Sequence, residues 1–211
     1  MDYTSFGFAA RIFTEFLSDS PTPQTLETLK QQGVLKEWFI HSQNESGKVG
    51  KVLWKKAHEE EIYDEIAADY TQLFICDEES LKAPPYASYY LDQSGETYTQ
   101  ESDATRVMYQ KFGFYMPLMK TEPSDHVAIE LAFLSILLKS YEANKIFDEP
   151  LKFFIATHLS PWIFAWCQDV QKNAKTNFYR GIGYLLEELM DILVSNLHII
   201  PMERTIYRHA S

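Results

Sequence analysis

A short acidic run at residues 122–126, Glu-Pro-Ser-Asp-His, combines residue types that suit acid–base chemistry or the binding of a cation. A carboxylate and an imidazole can share a proton, and a carboxylate can hold a guanidinium through paired hydrogen bonds. The run stands at a predicted helix start, where Asp125 complements the positive helix N-terminus and Ser124 or Thr121 could cap it. A cationic imidazole is disfavoured there, so His126 should be neutral and either held by a carboxylate or presented to a ligand. Both a structural role and a binding role fit this pair.

Other motifs of metal, nucleotide or nucleophilic chemistry are incomplete. Residues 58–62, His-Glu-Glu-Glu-Ile, begin as the zinc motif HExxH, but isoleucine stands where the second histidine is needed. The glycines and lysines of residues 46–52 lack the spacing of a phosphate loop, and residues 181–183 hold a lone Gly-Ile-Gly in a predicted helix. Cys76 and Cys167 are far apart with no CxxC, which favours reduced thiols. We therefore expect no cofactor, and the residues alone indicate no reaction class.

Helical periodicity sets the elements that must position these residues. Apolar side chains recur at spacings of three and four from Phe6, which predicts a first helix ending at residues 18–21. The next predicted helix has Thr22 as N-cap, Pro23 at its first position and Gly33 as its stop. A short helix holding Trp38 and Phe39 should follow.

The rest of the chain continues the helical pattern. A helix is predicted over residues 49–75 with a break near His58, and another runs from a cap at Ser102 or Asp103 to Phe112, with Gly113 as its C-terminal glycine. Further helices are predicted from Pro123 or Ser124 to Asn144 and over residues 149–158, 161–173 and 176–197. Pro84 and Pro85 exclude regular helix for the aromatic segment at residues 82–95. No useful strand alternation occurs, so we predict an all-α fold, a single-domain bundle of about eight to ten helices over residues 1–211.

Composition narrows the classes of partner. The 30 acidic residues exceed the 19 Lys and Arg, giving a net charge of −11, which argues against nucleic-acid binding. The N-terminus lacks a basic and apolar leader, and no apolar stretch approaches the roughly 20 residues of a membrane span, so we expect a cytoplasmic protein. One helix face at residues 59–69 is strongly acidic, and its ordinary interpretation is a solvated surface: it holds Glu59, Glu60, Glu61, Asp64, Glu65 and Asp69.

Four segments in register resemble the TorD/DmsD family of redox-enzyme maturation chaperones. They are Tyr-Thr-Gln-Leu-Phe at 70–74, Ala-Pro-Pro-Tyr-Ala-Ser-Tyr-Tyr-Leu-Asp at 83–92, the acidic run at 122–126, and His-Leu-Ser-Pro-Trp at 158–162, followed by Asn-Phe-Tyr-Arg at 177–180. The double-proline aromatic segment and an Ile-Pro near the C-terminus favour the DmsD branch, which serves the catalytic subunit of dimethyl sulfoxide reductase. Tyr86 and Tyr90 depart from that branch by standing where tryptophans are expected, and residues 1–50 resemble the family only in helical pattern.

The resemblance implies an all-helical, non-enzymatic, cytoplasmic chaperone. Such a protein binds the twin-arginine leader and the mature part of a molybdopterin-containing reductase subunit, and it holds back Tat export until the cofactor of that client is inserted. Components of the Tat translocase are further implied partners, and the family occurs as monomers and as dimers, including domain-swapped ones. The positions implied in leader recognition are Tyr70, Leu73, Phe74, Pro85, Tyr86, Glu122, Pro123, Asp125 and His126, while Trp162 is implied as a core position.

The residues agree with this role. A leader offers two arginines beside an apolar stretch, so its receptor should offer carboxylates beside an aromatic groove. We hypothesise that Asp125, with acidic residues of the 59–69 face, pairs with the leader arginines while Tyr70, Phe74 and Tyr86 cover its apolar part. In this hypothesis His126 orients Asp125 or contacts the peptide.

Two other interpretations compete with this one. A chaperone or adaptor of the same fold could serve a different reductase or metalloenzyme. A hydrolase using Asp125 and His126 as acid and base would need a nucleophile or a metal set, and the sequence supplies neither.

Overall fold

The computed structural model describes residues 2–33, 36–75 and 81–209, and these ranges contain helices and connecting segments but no strand. The α-helices are α1 (Tyr3–Ser18), α2 (Pro23–Gln31), α3 (Glu45–Glu60), α4 (Tyr63–Phe74), α5 (Ala87–Leu91), α6 (Gln100–Lys111), α7 (Val127–Ala143), α8 (Asp148–Phe154), α9 (Ser160–Asn173) and α10 (Asn177–Asn196). Short 3₁₀ turns occupy Pro117–Lys120 and Lys145–Phe147, and a π-helical turn, Ile155–Leu159, joins α8 to α9. The predicted all-α fold is confirmed.

Three helix boundaries follow the local signals in the sequence. The Thr22 hydroxyl accepts a hydrogen bond from the Thr25 amide, with Pro23 at the first helical position. Gly33 and Gly113 follow α2 and α6 with φ of +71° and +61°, the left-handed region that glycine enters without a Cβ penalty. These local rules placed the start of α2 and the ends of α2 and α6.

Tertiary contacts moved other boundaries. Trp38 and Phe39 lie outside any helix, because the buried Trp38 ring packs edge-on against Trp54 of α3, with centroids 5.0 Å apart. The break in the long acidic helix falls at Glu61 and Ile62, after the predicted position near His58, because the Glu61 carboxylate accepts the backbone amides of Asn177 and Phe178. The prediction of a helix at Trp38 was therefore wrong, and the position of the break needs correction.

Two predicted helix starts also shift, and one helix was not predicted. The cap of α6 is Thr99, whose hydroxyl accepts the Glu101 amide, while Ser102 bonds elsewhere. Helix α7 begins at Val127 with His126 as its cap, three or four residues later than predicted. The segment after the two prolines also forms the short helix α5, which the exclusion of regular helix did not foresee.

The chain divides into two compact units. The first comprises residues 2–18, 85–165 and 190–209, and the second comprises the described residues of 19–84 and 166–189. The prediction of a single domain is not tested by this division. None of the described helices is long and apolar enough to cross a membrane.

In the first unit, α1 packs along α7, α8 packs on the same helix, and α5 packs on α6. The buried Phe133 ring of α7 contacts Tyr109 of α6 and Phe154 of α8, at centroid separations of 4.9 Å each. This aromatic core fixes α6 and α7, the two helices that flank the acidic run at residues 122–126.

In the second unit, glycines allow α3 to lie close to α10. A Cβ atom at Gly50 would lie 2.7 Å from the Leu185 side chain, and one at Gly181 would overlap the Trp54 ring. The glycines that lack the spacing of nucleotide loops therefore serve helix packing. Cys167 is buried in this unit, whereas Cys76 lies outside the described residues.

Candidate functional site

The double-proline segment and the acidic run lie side by side in the first unit. The Val127 amide donates to the Pro85 carbonyl at 2.8 Å, and the Ala87 amide donates to the Asp125 carbonyl at 3.1 Å. These bonds form an isolated antiparallel bridge between Tyr86 and His126. These bonds join two segments that the resemblance implies in leader recognition. Tyr86 of one segment and Glu122 of the other are 36 residues apart in the sequence.

Asp125 holds helix α5 in place. Its buried carboxylate accepts the Ser88 amide at 2.7 Å through Oδ2 and the Ser102 hydroxyl through Oδ1. Helix α5 has only five residues and no side-chain cap of its own, so an isolated helix of this length would not be stable. Asp125 therefore caps α5 from a distant part of the chain and ties it to α6.

The same bonds constrain what Asp125 can bind. Both oxygens accept a hydrogen bond and the residue is 0% exposed, so a direct contact with a leader arginine would require the residues around Asp125 to move apart. The predicted arginine contact of Asp125 stays a prediction, and the geometry favours a positioning role.

His126 is the N-cap of α7. Its Nδ1 accepts the Ala128 amide at 3.1 Å, and burial lowers the pKa of the imidazole to about 3. The ring is therefore neutral and carries its proton on Nε2. The imidazole and the Tyr86 ring are nearly perpendicular, with centroids 5.3 Å apart. The expected neutral imidazole agrees with this geometry, although burial is the cause and not a carboxylate partner.

Tyr86 and Glu122 are the partly exposed residues of this site. Both side chains are half-buried, and the Tyr86 hydroxyl donates to Glu122 Oε2 at 2.8 Å. Burial and the bond to this carboxylate raise the pKa of Tyr86. No ion pair to Glu122 occurs among the described residues. Of the predicted positions in this unit, these two expose an aromatic ring and a carboxylate together, whereas Pro85 and Pro123 are buried.

A buried carboxylic acid that the sequence analysis did not single out lies beneath this surface. Glu130 of α7 is 0% exposed, and its Oε2 accepts the Trp162 indole N–H at 3.2 Å. Burial, followed by the nearby charge of Asp125, raises the pKa of Glu130 well above its ordinary value and so favours the protonated acid. The available signal was a lone carboxylate inside the apolar stretch at residues 127–138. Trp162 is buried, as the resemblance implied.

The remaining predicted site residues belong to the second unit, where they form core. Tyr70, Leu73 and Phe74 of α4 are at most 5% exposed. The Phe74 ring packs against Trp166 at 6.0 Å and against Tyr179 at 5.5 Å, measured between ring centroids. Their predicted contact with a leader stays a prediction, and in this conformation their rings stabilise helix packing.

Part of the acidic face is structural. Glu61 caps α10 through the Asn177 and Phe178 amides, and Asp69 accepts the amides of Lys175 and Thr176 at 3.1 and 2.8 Å. The other four acids of the face are exposed, in agreement with the ordinary interpretation: they are Glu59, Glu60, Asp64 and Glu65. A cleft of about 380 Å³ lies beside them, lined by Glu61, Glu65, Ala68, Asp69, Gln72, Lys175 and Thr176.

Comparison with known families agrees with the arrangement of these segments. A family model described as nitrate reductase delta subunit matches residues 42–168, more than half of the chain. The chain belongs to this family. The match includes residues 70–74, 83–92, 122–126 and 158–162 and ends before residues 177–180. The resemblance to TorD/DmsD-type proteins is confirmed.

Curated relatives of this chain carry chaperone names. A protein named chaperone protein TorD from Actinobacillus succinogenes is 35% identical over 123 residues, which cover 58% of this chain and 60% of the relative. A TorD from Histophilus somni is 35% identical over 130 residues, covering 60% and 62%. The chain thus spans about three fifths of the length of these relatives. Their names are those of chaperones and not of enzymes, as the sequence predicted for this chain.

Comparison with solved structures finds a similarity to a crystal structure. It is titled a putative redox enzyme maturation protein from Archaeoglobus fulgidus, and it is 22% identical with a TM-score of 0.45. The similarity covers 77% of this chain and 93% of that one.

Proposed function

We propose that this protein is a cytoplasmic chaperone that binds the twin-arginine leader of a molybdoenzyme precursor. Binding holds the precursor back from Tat export until its cofactor has been inserted and the enzyme has folded. Membership of a family whose curated relatives are named as chaperones supports the general role. The sequence resemblance favours the catalytic subunit of dimethyl sulfoxide reductase as the client.

The observation that carries this proposal is the half-exposed pair formed by Glu122 and Tyr86. Glu122 Oε2 already accepts the Tyr86 hydroxyl, so the carboxylate is oriented before a ligand arrives. A guanidinium can bind such a carboxylate through charge-assisted hydrogen bonds and lie against the aromatic ring. We assign Glu122 the arginine contact and Tyr86 the contact with the adjoining apolar residues of the leader.

The buried residues behind this pair give it its rigidity. Asp125 and His126 fix the segments that carry Tyr86 and Glu122, through the cap of α5 and the cap of α7. A receptor whose groups are already in place loses less conformational entropy on binding. The net charge of −11 also speeds the encounter with a cationic peptide.

Calorimetric titration tests the role and the client together. The full chain would be titrated with a leader from the catalytic subunit of dimethyl sulfoxide reductase, a leader from another molybdoenzyme and a scrambled control. Binding of the first alone supports both the role and the client. Binding of the second alone keeps the role and assigns a different client, and absence of binding to every leader refutes the role.

A pair of variants tests the assigned contact. Glu122→Gln removes the charge but keeps the side-chain shape, and we expect it to weaken leader binding about tenfold. Glu96→Gln is the matched control, because Glu96 is an exposed acid of the same unit, and its affinity should change less than about twofold. Equal effects of the two variants would assign the charge dependence to general electrostatics.

A further inference from the structure

The segment that follows α10 lies across the first unit as an extended strap. Residues 199–209, here called the strap, form neither helix nor strand. The Met202 amide donates to the Ala156 carbonyl at 2.9 Å, and the Tyr207 amide donates to the Tyr90 carbonyl at 2.9 Å. The strap is thus attached by its main chain both to the π-helical turn and to α5.

A basic side chain of the strap is paired with an acid of α6. Arg204 lies 2.5 Å from the Glu101 carboxylate, with the two side chains 31% and 22% exposed. Glu101 directly precedes Ser102, whose hydroxyl bonds to Asp125. The ion pair therefore lies next to Ser102, which links α6 to Asp125 and, through Asp125, to α5.

The end of the strap lies on aromatic residues. The His209 ring meets Tyr89 with centroids 4.8 Å apart, and its Nε2 is 3.0 Å from the Tyr89 carbonyl. Tyr89 and Tyr90 belong to α5, the helix that begins directly after Tyr86. The strap site, defined as Tyr89, Tyr90, Glu101 and Ala156, thus shares α5 with the proposed leader site.

The contacts of the strap are those that a receptor makes with an extended cationic peptide. Two main-chain hydrogen bonds, one arginine–carboxylate pair and an aromatic platform would accept many sequences that carry an arginine at the right place. Near the start of the strap, Ile200 is 88% and Met202 is 47% exposed, whereas Ile199 is buried. A partly exposed ion pair of this kind contributes little stability.

We propose that the strap site binds an arginine-containing segment of the client leader, and that the strap occupies it as an intramolecular competitor until the leader arrives. This inference rests on the proposed function and extends it, because it assigns the second arginine a receptor, Glu101, and gives the empty chaperone a closed state. A closed strap lowers the apparent affinity for the leader by the fraction of molecules in which it is open.

The test combines calorimetry with hydrogen exchange on the full chain and the leader that binds best. Arg204→Ala should tighten leader binding about twofold to fivefold, because it weakens the competitor. Arg106→Ala is the matched control, since Arg106 pairs with Asp103 at 2.5 Å on the same helix without involving the strap. Adding Glu101→Gln to Arg204→Ala should reverse the gain. In the wild type, addition of leader should accelerate exchange of the Met202 and Tyr207 amides.

Different results would contradict the strap as a competitor and the chaperone role itself. Leader binding with equal affinities for Arg204→Ala and Arg106→Ala, or with unchanged exchange at Met202 and Tyr207, overturns the competitor while the chaperone role stands. An Arg204→Ala gain that survives Glu101→Gln overturns Glu101 as the arginine receptor. Failure of every leader to bind wild type and variants overturns the proposed function, and this inference with it.

Discussion

Replacement of Asp125 by alanine should destabilise the first unit through a buried cap. The change removes two hydrogen bonds to a carboxylate and leaves the Ser88 amide and the Ser102 hydroxyl buried without that acceptor. Hydrogen bonds to charged groups contribute about 1.5–3 kcal/mol each, so two of them at the lower end contribute about 3 kcal/mol. We therefore expect the free energy of unfolding to fall by about 3 kcal/mol.

Asp92→Ala is the matched control for this effect. The Asp92 carboxylate accepts the same two kinds of donor, the Ser94 amide at 2.8 Å and the Ser94 hydroxyl at 2.7 Å, but at an exposed turn. Water can replace those bonds, so Asp92→Ala should lower the free energy of unfolding much less than Asp125→Ala does. The two variants differ in the burial of the acceptor and not in the chemistry of its bonds.

Urea unfolding followed by circular dichroism measures the global cost, and hydrogen exchange locates it. In Asp125→Ala the Ser88 amide should exchange faster, together with the rest of α5. Equal losses of unfolding free energy in the two variants, with unchanged exchange at Ser88, would refute the assignment of Asp125 as the cap of α5. Unchanged leader affinity in Asp125→Ala would also remove Asp125 from any account of binding.

Three further predictions concern stability. The pKa of Glu130 is raised in the folded state, so the stabilising contribution of the acid is lost as pH rises above about 4.5. Glu130→Gln should therefore gain stability relative to wild type over this range. Urea midpoints at pH 5 and pH 8 measure the difference, and a difference that stays constant contradicts the prediction. Asp69→Ala should lower the unfolding free energy by about 2–4 kcal/mol, whereas Asp64→Ala, at an exposed acid of the same helix, should change it by less than about 0.5 kcal/mol in the same titration. Gly181→Ala should cost about 1–3 kcal/mol because the added methyl overlaps the rigid Trp54 ring, and a thermal midpoint equal to that of wild type would show that α3 and α10 separate freely.

The helical class could be predicted from the sequence because helix periodicity and end signals are local. Apolar spacing from Phe6, the Thr22 cap and the left-handed Gly113 each act within a few residues of the chain. The same is true of the family resemblance, since its motifs are short and their order is visible without coordinates. These features also placed Tyr86 and Glu122 among the candidate site residues.

The roles within the candidate site were decided by contacts between distant segments. Asp125, predicted as an arginine ligand, is buried because Ser88 and Ser102 reach it from α5 and α6. Glu61, predicted as part of a solvated face, is turned inward by the amides at the start of α10. A carboxylate has the same local sequence signature whether it faces water or caps a distant helix, because the donor that selects between these states lies many residues away.

The sequence by itself therefore determined that the chain is helical, which family it belongs to, and which residues are candidates for the site. Only the tertiary structure decided which of those candidates reach the surface, which hold the others in place, and that the strap carries Arg204 to Glu101. The physical reason is range: helix formation depends on neighbours three and four residues apart, whereas burial and the pairing of polar groups depend on which segments fold together.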